Sequence, residues 1–318
     1  MIDVLIVGGG PAGLSAALVL GRARRSLLIC DAGEPRNGNS RGVNGYLTRD
    51  GIAPGDMRRI GREELDSYPS VRLEEAWVTD LHHKGSHFEA VLDRGDRVAS
   101  RKLLLAPGVE PKLPPLARAR ELYGRGLFDC PYCDGWEIRD QPIAIYGRGG
   151  RAKTFALQLL GWTSDIVICT DGPAEFSACD RDELGQLGIR IAEDRLAELE
   201  SDGELLTAIK FAEGRRLARR ALFFVAGSPE PSPLLRKLGC EFDDKGSVRT
   251  GSGETTTVPG LFVAGDASRR IDFAIVAAAE GAMAAVSINR ELLAEDLDRR
   301  GRETVEISAG PWAAGGLS

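Results

Sequence analysis

The chain of 318 residues is long enough for about two domains at roughly 150 residues each. Its 43% hydrophobic and 28% charged residues are enough to bury ordinary cores, which excludes a wholly disordered chain. The net charge of −6, from 41 Lys and Arg against 47 Asp and Glu, argues against nucleic acid as the main partner, because phosphate binding normally leaves a basic excess.

The N-terminal residues 3–7 form a short apolar run that predicts a buried parallel strand. Gly8-Gly9-Gly10-Pro11-Ala12-Gly13 follows, then a helical pattern over residues 14–20 and a second strand over 26–30 that ends at Asp31. Gly8, Gly10 and Gly13 thus stand between a strand and a helix, with an acid at the tip of the next strand. The first glycine permits the tight turn, the second lets backbone approach a pyrophosphate, and the third packs helix on strand. The helix start adds N–H groups and a favourable dipole, and Asp31 would accept hydrogen bonds from an adenosine ribose. The same unit recurs over residues 142–172 without a gap: Gly147 falls on Gly8, Gly149 on Gly10, Ala152 on Gly13 and Leu159 on Leu20. Such a repeat implies two Rossmann-like halves. In the second copy the strand-end acid is Asp171, with no arginine cluster behind it. A 2′-phosphate needs cations there, so NADPH is disfavoured, while NADH binding and a fold that binds nothing both stay open.

Between the copies, residues 76–81, 88–93 and 97–105 predict a small antiparallel meander, the last strand ending at Ala106-Pro107-Gly108. Residues 110–115 and 227–233 are proline-rich linkers. Residues 258–266 predict another buried strand with Asp266 at its tip, and a helix is expected from about 271 to 297. The tail, 301–318, is weakly patterned. The expected fold is α/β: two Rossmann-like, three-layer nucleotide-binding domains, the second inserted into the first, with a small β-meander. The expected boundaries are 1–112 with 230–318 for the outer domain and 113–229 for the insert.

No apolar run reaches the about 20 residues that span a bilayer, and the small-residue stretch 274–288 is broken by Glu280 and Gly281. No basic region precedes the first apolar run, so no signal peptide or membrane association is expected. Cys30, Cys169, Cys179 and Cys240 stand singly, as free thiols of a reducing, cytoplasmic compartment would. The other two cysteines form Cys130-Pro131-Tyr132-Cys133-Asp134-Gly135. Two intervening residues allow a closed disulfide, and a helix start beside it would lower one thiol pKa. A zinc site needs about four ligands and finds no second Cys pair, so no metal is expected. His82, His83 and His87 are placed on a solvated turn, and Trp136, Trp162 and Phe155 in the packing of the insert. Asp134 would relay a proton or cap the helix start.

In their order along roughly residues 3–293, these motifs and the late Pro259-Gly260-Leu261-Phe262-Val263-Ala264-Gly265-Asp266 resemble the low-molecular-weight thioredoxin reductases. The resemblance implies bound FAD and a homodimer. Gly8, Gly10, Pro11, Ala12, Gly13 and Asp31 would surround its ADP half. Asn44, Ala106, Gly108 and Asp266, the last holding the ribityl chain, and Ala274, at the start of the last helix, would lie along the rest. It also implies Cys133 as the thiol facing the flavin, Cys130 as the one that forms the mixed disulfide with substrate, and Asp134 as acid/base. Several positions depart from the pattern. The family's arginines for NADPH are absent at residues 170–174, its Arg-Gln before the last helix is Asp272-Phe273, and Pro131-Tyr132 resembles a branch that includes dithiol oxidases of small natural products. NAD(P)H use is therefore doubtful. The electron partner is open, with ferredoxin or oxygen as alternatives, and the substrate is a thioredoxin-like protein or a small-molecule disulfide or dithiol. Trp312 in the tail would stack on the flavin, as in ferredoxin-linked relatives. Rival readings are an oxygen-dependent dithiol oxidase, a flavin NADH oxidase with an incidental Cys pair, and a non-enzymatic nucleotide-binding redox sensor.

Overall fold

The computed structural model describes residues 1–203, 205–227, 232–268 and 273–299. Strand β1 (Ile2–Val7) feeds helix α1 (Pro11–Arg22) and strand β2 (Leu27–Asp31). Pro11 opens α1 at a position whose N–H has no intrahelical partner, so its missing donor costs nothing there. Helix α2 (Pro54–Leu65) and strand β3 (Val71–Glu75) then add a second crossover that hydrophobic patterning had not disclosed. Strands β4 (Val78–His83), β5 (Phe88–Leu92) and β6 (Arg97–Leu105) form the expected meander.

The long strand β6 decides the topology. Its first half pairs antiparallel with β5 and its second half parallel with β1, through Leu103 to Leu105. The chain then leaves this sheet, builds a second unit, and returns to lay β15 (Leu261–Val263) along the free side of Leu103 to Leu105. The resulting seven-stranded sheet runs β3-β2-β1-β6-β5-β4 with β15 on β6.

The inserted unit comprises α3 (Ala119–Leu122), β7 (Leu127–Phe128), α4 (Pro131–Asp134), β8 (Ile143–Tyr146), α5 (Gly149–Leu159), β9 (Ile166–Cys169), α6 (Ala178–Gln186), β10 (Arg190–Ala192), β11 (Leu196–Asp202), β12 (Leu205–Phe211), β13 (Arg216–Ala218) and β14 (Ala221–Phe224). Its parallel sheet runs β10-β9-β8-β14-β7, and β11-β12-β13 form a separate antiparallel sheet. One face of the parallel sheet packs Ile143, Ile145 and Phe223 against α5; the other packs Leu222 and Phe224 against Leu199, Ile209 and Phe211 of the smaller sheet. The expected α/β architecture of two Rossmann-like units, one inserted into the other, is the one observed.

Helices α7 (Pro233–Lys237) and α8 (Ala274–Arg299) complete the outer unit. On one face of its sheet α8 crosses α1 through small residues, Ala277, Ala284 and Ala285 against Ala12, Ala16 and Ala17. At the crossing, a Cβ on Gly281 would collide with the backbone of Ala12, so glycine is what lets α8 reach α1. The far end of α8 is fastened by charge: Arg101 meets Asp3, Glu295 and Asp296, and Lys102 meets Glu291 and Glu295.

Two local expectations need correction. His82 and His83 lie on β4 rather than on a turn, because the β4–β5 pairing extends through His83 and Phe88, while His87 stands on the turn before β5 as expected. The His83 ring stacks on Phe88 with centroids 4.6 Å apart. Trp136 is 65% exposed, with the Arg139 guanidinium 4.1 Å from its ring; Trp162 and Phe155 do pack on the core of the insert. A Cβ on Gly135 would lie 2.9 Å from the Trp162 ring, so glycine there leaves room for Trp162 to take the inward place.

Candidate active site at the seam between the two units

Cys130 and Cys133 form a disulfide with Cα atoms 5.3 Å apart, at the start of α4. Pro131 sits at the first helical position, and the Cys133 N–H donates to Cys130 Sγ at 3.1 Å. Both cysteines are half-buried. The other cysteines differ in kind. Burial is the first cause that pushes the thiols of Cys30 and Cys240 up to about 11 and that of Cys169 up to about 12, while Cys179 is exposed. At neutral pH the buried three are inert, and the reactive sulfur chemistry sits in the pair.

Asp134 closes the first turn of α4 and is half-buried. Burial first, then the negative charges of Asp129 and Glu137, push its carboxyl up to about 7. A carboxyl poised there can both take and return a proton beside the sulfur pair.

The outer unit reaches this segment through the loop that joins β2 to α2. Asn44 Nδ2 donates to the Cys133 carbonyl at 2.7 Å, and the Asn39 carbonyl accepts from Arg125 Nε at 3.0 Å. Arg36 Nη2 donates to Asp266 Oδ2 at 2.9 Å, and Arg36 Nη1 lies 3.8 Å from Asp129 Oδ2, on the residue before Cys130. Asp129 also accepts from the Tyr123 hydroxyl at 3.1 Å. Asn44, Asp266, Cys130, Cys133 and Asp134 therefore meet along one seam.

The remaining candidate residues gather at the carboxyl edge of the outer sheet. Gly8 has φ +107, and a Cβ there would collide with the Ala106 carbonyl; a Cβ on Gly13 would collide with the Gly8 carbonyl. Gly10 and Gly108 face open space, with no protein atom within 4 Å of where a Cβ would be. Helix α1 starts there with Pro11, Ala12 and Gly13 and carries no acidic side chain in its first turn. A glycine cradle at an uncontested helix N-terminus fits the pyrophosphate of a dinucleotide such as FAD. Asp31, 8% exposed, stands beside Gly9, and its Oδ2 accepts from Arg62 Nη2 at 2.6 Å. Beyond Asp266, α8 begins at Ala274, and buried Glu280 accepts the Gly265 N–H at 2.8 Å. Trp312 lies outside the described residues.

Arg36, Arg62, Asp129 and Glu280 escaped the sequence reading. Only Glu280, a charge interrupting a small-residue helix, left a local signal. The three others are unremarkable in sequence, since what matters is the partner they meet across the fold.

The second repeat is arranged differently. Arg148 donates from Nε to the Thr170 carbonyl at 2.6 Å and from Nη2 to the Asp171 carbonyl. The Asp171 carboxylate accepts the Leu196 N–H at 2.9 Å. The acid at the strand end is thus used within the protein, and an arginine lies folded over the loop that bears it.

Among the described residues no group of His, Cys, Asp and Glu is placed to hold a metal ion, and no helix is long and apolar enough to cross a membrane.

The family model for pyridine nucleotide-disulphide oxidoreductases matches residues 2–281. A probable thioredoxin reductase of Arthroderma benhamiae is 30% identical over 299 residues, covering 84% of this chain and 74% of that protein. The crystal structure of a putative thioredoxin reductase from Bacillus anthracis superposes with a TM-score of 0.88 at 34% identity, covering 92% of this chain and 99% of the other. That of the protein HlmI superposes at 0.89 and 33% identity, covering 94% and 95%. Kinship to this family implies flavin binding, and the glycine cradle fits it. The chain belongs to the pyridine nucleotide-disulphide oxidoreductases and is a thioredoxin reductase-like flavoprotein disulfide oxidoreductase.

Proposed function

We propose that this protein moves electron pairs between FAD and a partner disulfide or dithiol through Cys130 and Cys133, and that it does so without efficient use of NADPH. The observation that carries the first part is the disulfide itself, held at the seam by Asn44 and flanked by Asp134. Gly8, Gly10, Pro11, Ala12, Gly13 and Asp31 would hold the ADP half of FAD, with Ala106, Gly108, Asp266 and Ala274 along the remainder. When bound, FAD would supply a two-electron donor or acceptor to the Cys130–Cys133 pair.

The chain's own part is thiol exchange. With the pair reduced, the Cys130 thiolate attacks one sulfur of the partner disulfide and expels the other as a thiolate. The Cys133 thiolate then attacks Cys130 Sγ, restores the Cys130–Cys133 bond and releases the second partner thiolate. Two electrons leave the pair, the partner gains two, and Asp134 carries protons to and from the thiolates. Run backwards, the same steps close a disulfide in a dithiol. In the arrangement observed the pair faces the outer unit, so exchange with a bulky partner requires the insert (residues 113–229) to turn relative to residues 1–112 and 230–318.

Doubt about NADPH rests on the second repeat. The Asp171 carboxylate that would meet a ribose is taken up by Leu196, and Arg148 is spent on two carbonyls of the same loop. The donor or acceptor is then another species, such as a reduced iron–sulfur protein or oxygen, and the resemblance to low-molecular-weight thioredoxin reductases implies a homodimer, expected in a cytoplasmic setting.

Two measurements test the reading. An anaerobic titration with NADPH should bleach the flavin slowly or not at all; rapid stoichiometric bleaching overturns that half. Cys130→Ser should keep its flavin and lose disulfide exchange; turnover at the wild-type rate overturns the other half.

A further inference from the structure

The two dinucleotide folds of this chain can be compared position by position. Strand β1 pairs β2 from Val4 with Leu27 to Val7 with Cys30, and β8 pairs β9 from Ile143 with Ile166 to Tyr146 with Cys169, the same register in both copies. The turn that follows is tied alike: the Gly8 N–H donates to the Cys30 carbonyl at 2.8 Å, and the Gly147 N–H to the Cys169 carbonyl at 3.3 Å. Arg148 therefore stands where the first copy has Gly9, and Thr170 where it has Asp31. In the first copy these two positions touch. A Cβ on Gly9 would lie 2.5 Å from Asp31 Oδ2, so a side chain at the turn and a carboxylate at the strand end exclude one another.

The second copy holds the opposite choice. Thr170 is turned into its own chain, its hydroxyl donating to the Gly172 carbonyl at 2.5 Å, and Arg148 reaches over the strand end. Arg148 Nε donates to the Thr170 carbonyl at 2.6 Å, Nη2 to the Asp171 carbonyl, and Nη1 lies 3.9 Å from Glu175 Oε1. A Cβ on Gly172 would lie 3.3 Å from Arg148 Nη2, so the guanidinium rests directly on the loop after β9. In a dinucleotide fold the adenosine ribose lies between the glycine turn and that strand end. The pyrophosphate end stays open: among the described residues no atom lies within 4 Å of where a Gly150 Cβ would be, and α5 has no acidic side chain in its first turn. We propose that Arg148 is a specificity-determining residue whose side chain plugs the adenosine end of the second dinucleotide fold and so excludes NADH as well as NADPH. The plug deepens the reading that NADPH is not used efficiently and rests on it for its purpose: the fold for a nicotinamide dinucleotide is present, and one side chain closes it.

The test uses flavin-saturated protein, so that the outer cradle is filled, and titrates it by calorimetry with ADP-ribose, the half that binds at the turn and carries no nicotinamide. The Arg148 backbone is extended, at φ −134 and ψ 159, and its side chain is partly exposed, so Ala and Gly both fit there. Arg148→Ala should bind ADP-ribose about ten- to a hundredfold more tightly than wild type, because the ribose hydroxyls gain the two carbonyls that the guanidinium now takes. Arg148→Gly, which copies the first turn, should gain as much. Arg148→Lys keeps the bulk and a donor for the same carbonyls and should stay within about threefold of wild type. A guanidinium that served as a phosphate ligand would give the opposite sign, with weaker binding to Ala, and a merely structural role predicts no gain of affinity at all. Equal or weaker binding in Ala and Gly, or a gain in Lys as large as theirs, overturns the plug. Rapid bleaching of the wild-type flavin by NADPH refutes the NADPH half of the proposed function whatever the Arg148 series shows. A slowly bleached wild type with a flat Arg148 series refutes the plug and leaves that reading standing.

Discussion

The carboxyl of Asp134, pushed from its ordinary 3.8 up to about 7 chiefly by burial, leaves a mark on stability that can be measured without any substrate. Between those two values the folded protein binds a proton at Asp134 that the unfolded chain has already released. Stability from this group is therefore fully present at low pH and is lost as pH rises through 7. Working the linkage between pH 5 and pH 8 gives a loss of roughly 2–3 kcal/mol attributable to this side chain. Asp134→Asn keeps the shape and removes the titration. The assay is urea unfolding of both proteins at pH 5 and pH 8, followed by the fluorescence of Trp136 and Trp162, which lie in the same unit. Asn should gain on Asp as pH rises, its advantage at pH 8 exceeding that at pH 5 by about 2–3 kcal/mol. A gap that is the same at both pH values refutes the claim that burial and the neighbouring Asp129 and Glu137 hold this carboxyl up. The same substitution should lower disulfide turnover by about 10²-fold and remove the inflection near pH 7 from its pH profile.

Gly281→Ala should force α8 away from α1, because the new methyl group would meet the Ala12 carbonyl carbon at 2.7 Å and its Cα at 2.9 Å. A loss of about 1–3 kcal/mol in unfolding free energy is expected, with lower flavin occupancy as the start of α1 shifts; an unchanged urea midpoint contradicts it. Arg62→Met should destabilise the flavin-free protein by about 1–2 kcal/mol, because it strips the cation from nearly buried Asp31, and Asp31→Asn on top should restore most of the loss. Additive losses in that pair would show that the 2.6 Å contact contributes nothing.

Much of the site was legible along the chain because its parts are local. The strand, glycine turn and helix from Ile2 to Arg22 are built by neighbours in sequence, and the second copy repeats them with Gly147 and Gly149. The Cys130–Cys133 bridge spans three residues, and its helix start with Pro131 and Asp134 is equally local. Helix α2 was hidden because most of its residues are polar and only Pro54 and Leu65 are buried, so its apolar positions are sparse. His82 and His83 were misplaced since their strand is fixed by partners on β5 rather than by their own preferences.

Sequence alone determined the class of machine: a repeated dinucleotide-binding unit with a redox cysteine pair, because turn glycines, helix starts and vicinal thiols act over a few residues. Tertiary structure decided how the machine is set. It gave Asp134 a raised carboxyl, spent Arg148 and Asp171 on their own loop, and brought Arg36 between Asp129 and Asp266. Burial and charge act through space, and the distances that govern them exist only once the two sheets are folded and the chain has returned from the insert to lay β15 beside β6.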